Sequence, residues 1–299
     1  MKSYKALLNE AARSTGVLKE LTPEESLSLK KCILGIYKAV AALCEENGLV
    51  YMLAGGRCLG AVRHKGFIPW DDDLAMMMPR LDYQKLVDLL KQGALGDDYS
   101  YTYPDGIHDG PSMFLKVYRN DTVLMGLGGE NSPYPQKVFI DVFPLDGMSK
   151  SSIARKVKGV IANLIRLSAN MVSEAGRLSK EEKQFYSQNN ELKRMMWIRR
   201  RLGKVLSVIP HRIWIYWFDK LVFNPDMSGM VGIPTGRKLY NGEVFPSKVY
   251  IPVSFGCFEN LKVPLPGDTD SYLKNLYKDY WKLPPHNKRE RHFFKDLII

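Results

Sequence analysis

The apolar run LVYMLA at residues 49–54 ends at a glycine pair, Gly55-Gly56, and three consecutive aspartates follow at residues 71–73. A short apolar run bounded by turn residues predicts a buried strand. We expect a short helix from about Arg57 to His64, a turn at Lys65-Gly66, and a second strand from Ile68 to Met78. Few folds accept this order of strand, glycine turn, helix and acidic strand, and it indicates a mixed α+β protein.

The remaining elements are predicted by caps, periodicity and turn residues. Thr22, Pro23 and Glu25 form a capping-box pattern that starts a helix running to about Asn47. The further predictions are a helix over 80–92, strands over 112–117 and 138–143, helices over 151–223 with a break near 187–190, and a helix near 270–281. The chain then divides into residues 1–150 as the core, a basic helical insertion over 151–223, and residues 224–299, which complete the core with strands, turns and a helix.

The composition, with 45% hydrophobic and 25% charged residues, is typical of a folded soluble protein. The four cysteines lie apart, with no CxxC pair, so reduced thiols in the cytoplasm are expected. No N-terminal run resembles a signal peptide, and no stretch of about 18 apolar residues could span a bilayer. The sequence predicts a cytoplasmic protein, at most peripheral to the membrane.

The net charge of +11 is concentrated in one segment. Residues 151–220 contain 15 Lys and Arg against 5 Asp and Glu. Together with the interleaved aromatic residues, this charge favours contact with an anionic membrane surface or an acidic polymer, while solvated helix faces are the plainer interpretation. No RNA- or DNA-binding module accompanies the charge, which argues against nucleic acid.

The aspartates are the candidate chemical centre. In a strand, Asp71 and Asp73 would project from the same face and Asp72 from the other. Two adjacent carboxylates repel each other unless a cation lies between them, and oxygen ligands favour Mg²⁺ or Mn²⁺.

The residues around the glycine pair predict a phosphate site. Gly55 and Gly56 let backbone approach a phosphate at the start of a helix, and Arg63, His64 and Lys65 add cationic or hydrogen-bonding groups. We therefore expect phosphoryl transfer. Two plainer roles stay open: a structural imidazole for His64, and a solvated turn for Arg63 and Lys65.

The order of these parts resembles the nucleotidyltransferase fold of polymerase-β-like enzymes. More closely, GGRCLGAVRHKGFIPWDDD and VFIDVFPLDG resemble two blocks of the LicD family. NGEVFPSKVYIPVSFGCFENLKVPLPG and YLKNLYKDYWKLPPHNKRERH resemble its third and fourth blocks. The blocks lie in family order over residues 51–292.

The resemblance implies a phosphotransferase. LicD proteins move phosphocholine from CDP-choline to a cell-surface glycan such as teichoic acid or lipopolysaccharide, and fukutin-type relatives move ribitol phosphate from CDP-ribitol. By the same resemblance, Asp71, Asp73 and Asp141 are metal-binding and catalytic positions. The resemblance also places Arg63 and His64 on a basic pair of the family, and Lys288, Arg289 and His292 on its C-terminal basic cluster. The predicted donor-phosphate positions are therefore Arg63, His64, Lys288 and Arg289, together with Gly55, Gly56, Arg57 and Lys65 around the glycine pair. The acceptor would be a glycan, free or lipid-linked.

Two positions depart from the family pattern. Ala75 stands where a third acid is usual, and Arg57 stands where Thr is usual. Loss of a carboxylate should weaken metal binding and charge neutralisation in the transition state, so we expect Ala75 to impair activity. Ala75→Asp should then raise CDP-choline turnover with magnesium. Two alternatives stay open: a nucleotidyltransferase that uses NTP, and a catalytically silent glycan- or membrane-binding protein.

Overall fold

The computed structural model describes residues 8, 11–12, 20–176, 178–285, 289 and 294–299. The helices are α1 Pro23–Glu46, α2 Gly55–Arg63, α3 Arg80–Lys91, α4 Ser152–Ser173, α5 Lys180–Ser187, α6 Asn190–Leu206, α7 His211–Val222 and α8 Thr269–Tyr277. The strands are β1 Met52–Leu53, β2 Ala75–Pro79, β3 Tyr99–Thr102, β4 Leu115–Arg119, β5 Val123–Met125, β6 Phe139–Met148, β7 Met230–Gly232, β8 Val244–Pro246, β9 Ser254–Phe258, β10 Leu261–Leu265 and β11 Asp296–Ile298.

A mixed sheet of order β1-β2-β6-β4-β3 organises the fold. β2 and β6 are parallel, and the other neighbours in this order are antiparallel. β7 pairs with the far end of β6 and β8 pairs with β7, so residues after 224 extend the same sheet. The predicted α+β class is confirmed.

Helix α1 begins as its sequence predicts. The Thr22 hydroxyl accepts from the Glu25 N–H, and the Glu25 carboxylate accepts from the Thr22 N–H. The apolar positions of this helix, including Leu29, Ile33 and Val40, are buried in the core around the sheet. Local capping and a 3.6-residue apolar repeat are together sufficient to specify this element.

The basic region folds into helices α4 to α7, with the break between α5 and α6 at Gln188 and Asn189. Phe218 is buried in a second small core between α4 and α7, whereas Trp217 on the same helix is exposed. All four cysteines are free thiols in the structure.

A buried ion cluster joins this region to the sheet. Arg80 donates to both oxygens of Asp146, at 2.7 and 2.5 Å, and to Asp219 of α7 at 2.7 Å. Arg80 and Asp146 are almost fully buried, so each charge depends on the other for compensation.

Candidate functional site

The Gly55-Gly56 pair starts helix α2 at the wall of a cleft of about 510 Å³. Gly55 has φ +51°, a conformation that favours glycine, and its N–H donates to the Tyr272 hydroxyl at 3.0 Å. A Cβ on Gly56 would lie 3.0 Å from Asp71 Oδ2. The pair therefore gives both the turn and the close approach of the acidic segment.

Asp71 and Asp73 lie in a loop, because strand β2 begins only at Ala75. The predicted strand over 68–74 is wrong, and with it the argument that strand alternation sets the two aspartates on one face. The two carboxylates converge for another reason: Arg57 Nη2 contacts Asp71 Oδ2 and lies 2.5 Å from Asp73 Oδ1. Ion pairs to the one Arg57 guanidinium, and not the alternation of a strand, therefore hold the two carboxylates close together.

Arg57 is the central cation of this arrangement. Its side chain is 1% exposed, against 19% for Asp71 and 49% for Asp73. Burial alone would lower the pKa of Arg57, but the charges of Asp73 and Asp71 outweigh it and raise that pKa. Arg57 is therefore a fixed positive charge, and its Nη1 is a buried donor without a hydrogen-bond partner among the described residues.

Ala75, Asp141 and Lys116 form one row across three strands. Asp141 on β6 is in register with Ala75 on β2 and with Lys116 on β4. Directly paired residues present their side chains on the same face of a sheet. Lys116 Nζ lies 2.5 Å from Asp141 Oδ1, so Asp141 has a cation on one side and a methyl group on the other.

Further cations line the cleft from distant parts of the chain. Arg63 comes from α2, Arg166 from α4, Arg237 from the loop after β7, and Lys282 from the segment after α8. Arg166 donates to the Gly236 carbonyl at 3.4 Å, and burial lowers its pKa. No local sequence pattern indicates Arg166, Arg237, Lys282 or Lys116 as site residues.

Residues 48–149 match the family model described as LicD/FKTN/FKRP, nucleotidyltransferase domain. The chain carries a LicD-type domain. It is also similar to the lipopolysaccharide cholinephosphotransferase LicD of Haemophilus influenzae, with 26% identity over 294 residues that cover 94% of this chain and all of that protein. The matched domain contains the glycine pair, the three aspartates and Asp141.

The carboxylates of this LicD-type domain do not fit a divalent cation shared by Asp71, Asp73 and Asp141. The Arg57 nitrogen already lies between the first two carboxylates, Lys116 binds the third, and Ala75 offers no side-chain oxygen. Within the part of the chain that the structure describes, no three His, Cys, Asp or Glu side chains form a metal-binding group. The expectation of Mg²⁺ or Mn²⁺ therefore stays a prediction.

The predicted basic positions of the LicD-type domain divide into two groups. Arg63 lines the cleft and donates to the Tyr280 carbonyl at 2.5 Å and to His64 Nε2 at 2.9 Å. Neither His64 nor Lys65 lines the cleft, and Lys65 is exposed in a turn with φ +58°. Burial and then the Arg63 charge lower the pKa of His64, which suits a neutral imidazole beside an arginine.

The C-terminal basic cluster is described only in part. The Arg289 guanidinium lies 4.1 Å from the centre of the Trp70 ring, and Trp70 lines the cleft. The stacking keeps Arg289 beside the cleft, and it gives Trp70 a role besides packing. The predicted Lys288 and His292 lie outside the described residues.

A second polar group faces the same cleft beside the glycine pair. Glu243 is buried and accepts from the Arg237 N–H at 2.8 Å and the Tyr272 hydroxyl at 3.2 Å. Burial raises the pKa of Glu243 despite these donors. The Thr235 hydroxyl is buried nearby with no hydrogen-bond partner in the described residues, as expected for a group that awaits a polar ligand.

Proposed function

We propose that the chain transfers phosphocholine, or a closely related phospho-substituent, from a CDP-activated donor to a cell-surface glycan. The similarity to a lipopolysaccharide cholinephosphotransferase over nearly the whole chain supports this reaction. The acceptor would be lipopolysaccharide or a related polymer such as teichoic acid, and ribitol phosphate is the alternative substituent.

The observation that carries the proposal is the convergence of Arg63, Arg166 and Arg237 on the cleft that holds the glycine-led start of α2. A CDP-activated donor carries a diphosphate. Guanidinium groups and the N-terminus of a helix both stabilise phosphate oxygens. The cleft volume of about 510 Å³ also lies in the range of small-molecule sites.

The transfer would proceed by attack of an acceptor hydroxyl on the phosphorus that bears the choline substituent. The new P–O bond joins that phosphorus to the glycan, the bond to the CMP oxygen breaks, and CMP leaves. The hydroxyl proton passes to Asp71, Asp73 or Asp141. The arginines neutralise charge on the transferring group and on CMP.

Ala75 would impair this transfer, because it removes a possible acceptor for the hydroxyl proton. A carboxylate at position 75 would lie beside Asp141 in the row across β2, β6 and β4, and the charge of Asp141 is already paired with Lys116. The same arrangement favours a second candidate: a silent LicD-type protein that binds donor, glycan or membrane without turnover. Arg57 supports that alternative because it occupies the space between Asp71 and Asp73.

Donor binding tests the proposal directly. In calorimetric titration with CDP-choline, Arg237→Met and Arg166→Met should each lower affinity about tenfold or more, since a hydrogen bond to a charged group contributes about 1.5–3 kcal/mol. Arg119→Met is the matched control, because Arg119 pairs with Asp121 outside the cleft. Equal affinity in all four proteins would contradict the proposal.

The released product separates the enzyme alternatives. CDP-choline with glycan should yield CMP, whereas a nucleotidyltransferase would release pyrophosphate from CTP or ATP. The silent alternative predicts donor or glycan binding with neither product.

We also propose that the protein acts at the cytoplasmic face of a membrane, where a lipid-linked glycan would be presented. Among the described residues, no helix is long and apolar enough to cross a bilayer. The membrane contact that we propose is peripheral and is made by the basic region over 151–220, because its excess of Lys and Arg favours an anionic surface.

A further inference from the structure

Two helices of the basic region expose long apolar stripes. Of the 21 large hydrophobic side chains exposed in the described part of the chain, 11 lie between residues 153 and 208. On α4 they are Ile153, Val157, Val160, Ile161, Leu164 and Leu167, and on α6 and just beyond it they are Trp197, Ile198, Leu202, Val205 and Val208. Such concentration is unusual for a surface that faces only water.

The stripe on α4 points away from the protein. Its members recur at intervals of three and four residues, which places them on one side of the helix. Three of the four buried residues of α4, namely Gly159, Ala162 and Ala169, lie about 130–170° around the helix from the middle of that stripe at about 100° per residue. The fourth, Met171, lies on the stripe side at the C-terminal end of α4, beyond the last exposed stripe residue, where α6 packs on the helix through Gly203. The stripe is thus opposite the packed side.

The stripe on α6 has the same relation to its own packed side. Leu192 and Gly203 are buried, and they lie about 150–170° from the middle of the exposed stripe. A Cβ on Gly203 would collide with the Met171 carbonyl, so glycine lets α6 pack closely on α4. Arg199 adds two hydrogen bonds to Glu174, at 2.6 and 2.7 Å, which fix this pairing.

The positive charge beside the stripes indicates which partner binds this face. α4 and α6 together contain ten Lys and Arg and one acidic residue, Glu191. Lys156, Lys193, Arg201 and Lys204 are exposed, and the Arg201 guanidinium lies 5.0 Å from the centre of the Trp197 ring. A second copy of the chain would bring the same positive charge against this face, whereas anionic lipid headgroups complement it and the acyl region accepts the apolar side chains.

We infer that α4 and α6 form a membrane-docking face that lies in the headgroup region of an anionic bilayer. This membrane role rests on the proposed function in one respect, because a lipid-linked glycan acceptor would bring the enzyme to a membrane. Arg166, on the side of α4 roughly opposite its apolar stripe, lines the cleft. Docking would therefore hold the cleft about one helix diameter, roughly 10 Å, from the lipid.

Vesicle co-sedimentation of the full chain tests the inference. The wild type should bind phosphatidylglycerol–phosphatidylcholine vesicles at physiological salt and bind pure phosphatidylcholine much more weakly. Val160→Asn/Leu164→Asn/Leu202→Asn/Val205→Asn should lower the partition coefficient at least tenfold. The matched control is Leu27→Asn/Leu81→Asn/Ile107→Asn/Phe255→Asn, whose four side chains are comparably exposed but lie outside the face.

Two further measurements make the outcome decisive. Equal melting temperatures should show that the face variant folds, and Trp197 fluorescence should shift to the blue on vesicle binding and lose the shift in Trp197→Phe. Wild type left in the supernatant, or a face variant that binds as the wild type does, would overturn the inference. The inference would also be overturned if the wild type forms a dimer in sedimentation velocity, the face variant is monomeric, and the wild type does not bind vesicles. None of these assays needs a donor, so they can fail while the transferase proposal stands.

Discussion

Arg57→Met tests the ion-paired centre of the site. The substitution keeps an apolar stem and removes the charge that binds Asp71 and Asp73. Removing one partner of a buried ion pair costs about 3–5 kcal/mol. The 49% exposure of Asp73 screens part of this interaction, so we expect a loss of about 3 kcal/mol. At about 2 °C per kcal/mol for a large domain, the melting temperature should fall by roughly 6 °C.

The same variant should gain a response to divalent cations, because it leaves two adjacent carboxylates without a cation. At ten times its Kd, Mg²⁺ or Mn²⁺ would stabilise Arg57→Met by about 1.4 kcal/mol. The wild type, in which Arg57 already contacts both carboxylates, should respond much less.

Thermal unfolding in EDTA and in a Mn²⁺ series measures both effects. Arg63→Met is the matched control, because Arg63 lines the same cleft but its described hydrogen bonds go to His64 and the Tyr280 carbonyl. The control should lose about 1 kcal/mol or less and gain no Mn²⁺ response. Two results would refute the reasoning: an unchanged melting temperature for Arg57→Met in EDTA, or equal Mn²⁺ stabilisation of wild type and variant.

Three further predictions concern stability and thiol reactivity. Arg80→Met should lower the free energy of unfolding in urea by about 3–5 kcal/mol, because it removes the cation paired with Asp146 and Asp219. Arg119→Met is the control and should lower it by about 1 kcal/mol or less, because the Arg119–Asp121 pair is more exposed. Similar losses in the two variants would contradict this prediction. Burial raises the pKa of Glu243, so the wild type loses stability when this carboxyl ionises as pH rises through that pKa. Glu243→Gln does not ionise, so its melting temperature minus that of the wild type should increase from about pH 4 to about pH 7. A constant or falling difference would contradict a raised pKa for Glu243. A thiol reagent should label exposed Cys257 in the native protein and buried Cys58, whose pKa burial raises, only on unfolding; native labelling of Cys58 would contradict the described core.

The sequence predicts elements whose causes are local. The capping box at Thr22 and the apolar repeat of α1 lie within a few turns of helix, and the structure confirms both. The glycine-led helix α2 is also confirmed, two residues earlier than expected. In each case the interactions that decide the structure lie within the segment itself.

The site was less predictable because long-range contacts build it. The sequence predicts a strand over 68–78 and a cation bound between Asp71 and Asp73. In the structure the two aspartates lie in a loop, and Arg57 supplies the positive charge between them. Arg166 and Arg237 reach the cleft from regions that sequence spacing does not relate to the aspartates. Register pairs Lys116 with Asp141, and no local pattern indicates that pairing.

Product analysis by phosphorus NMR tests the central claim most directly. The protein is incubated with CDP-choline and lipopolysaccharide, in Mg²⁺ and in parallel in EDTA, and Arg237→Met serves as the site control. We predict CMP and glycan-bound phosphocholine, formed slowly by wild type, faster by Ala75→Asp, and more slowly still by Arg237→Met. If neither wild type nor Ala75→Asp releases CMP from CDP-choline, the proposed phosphotransferase is contradicted.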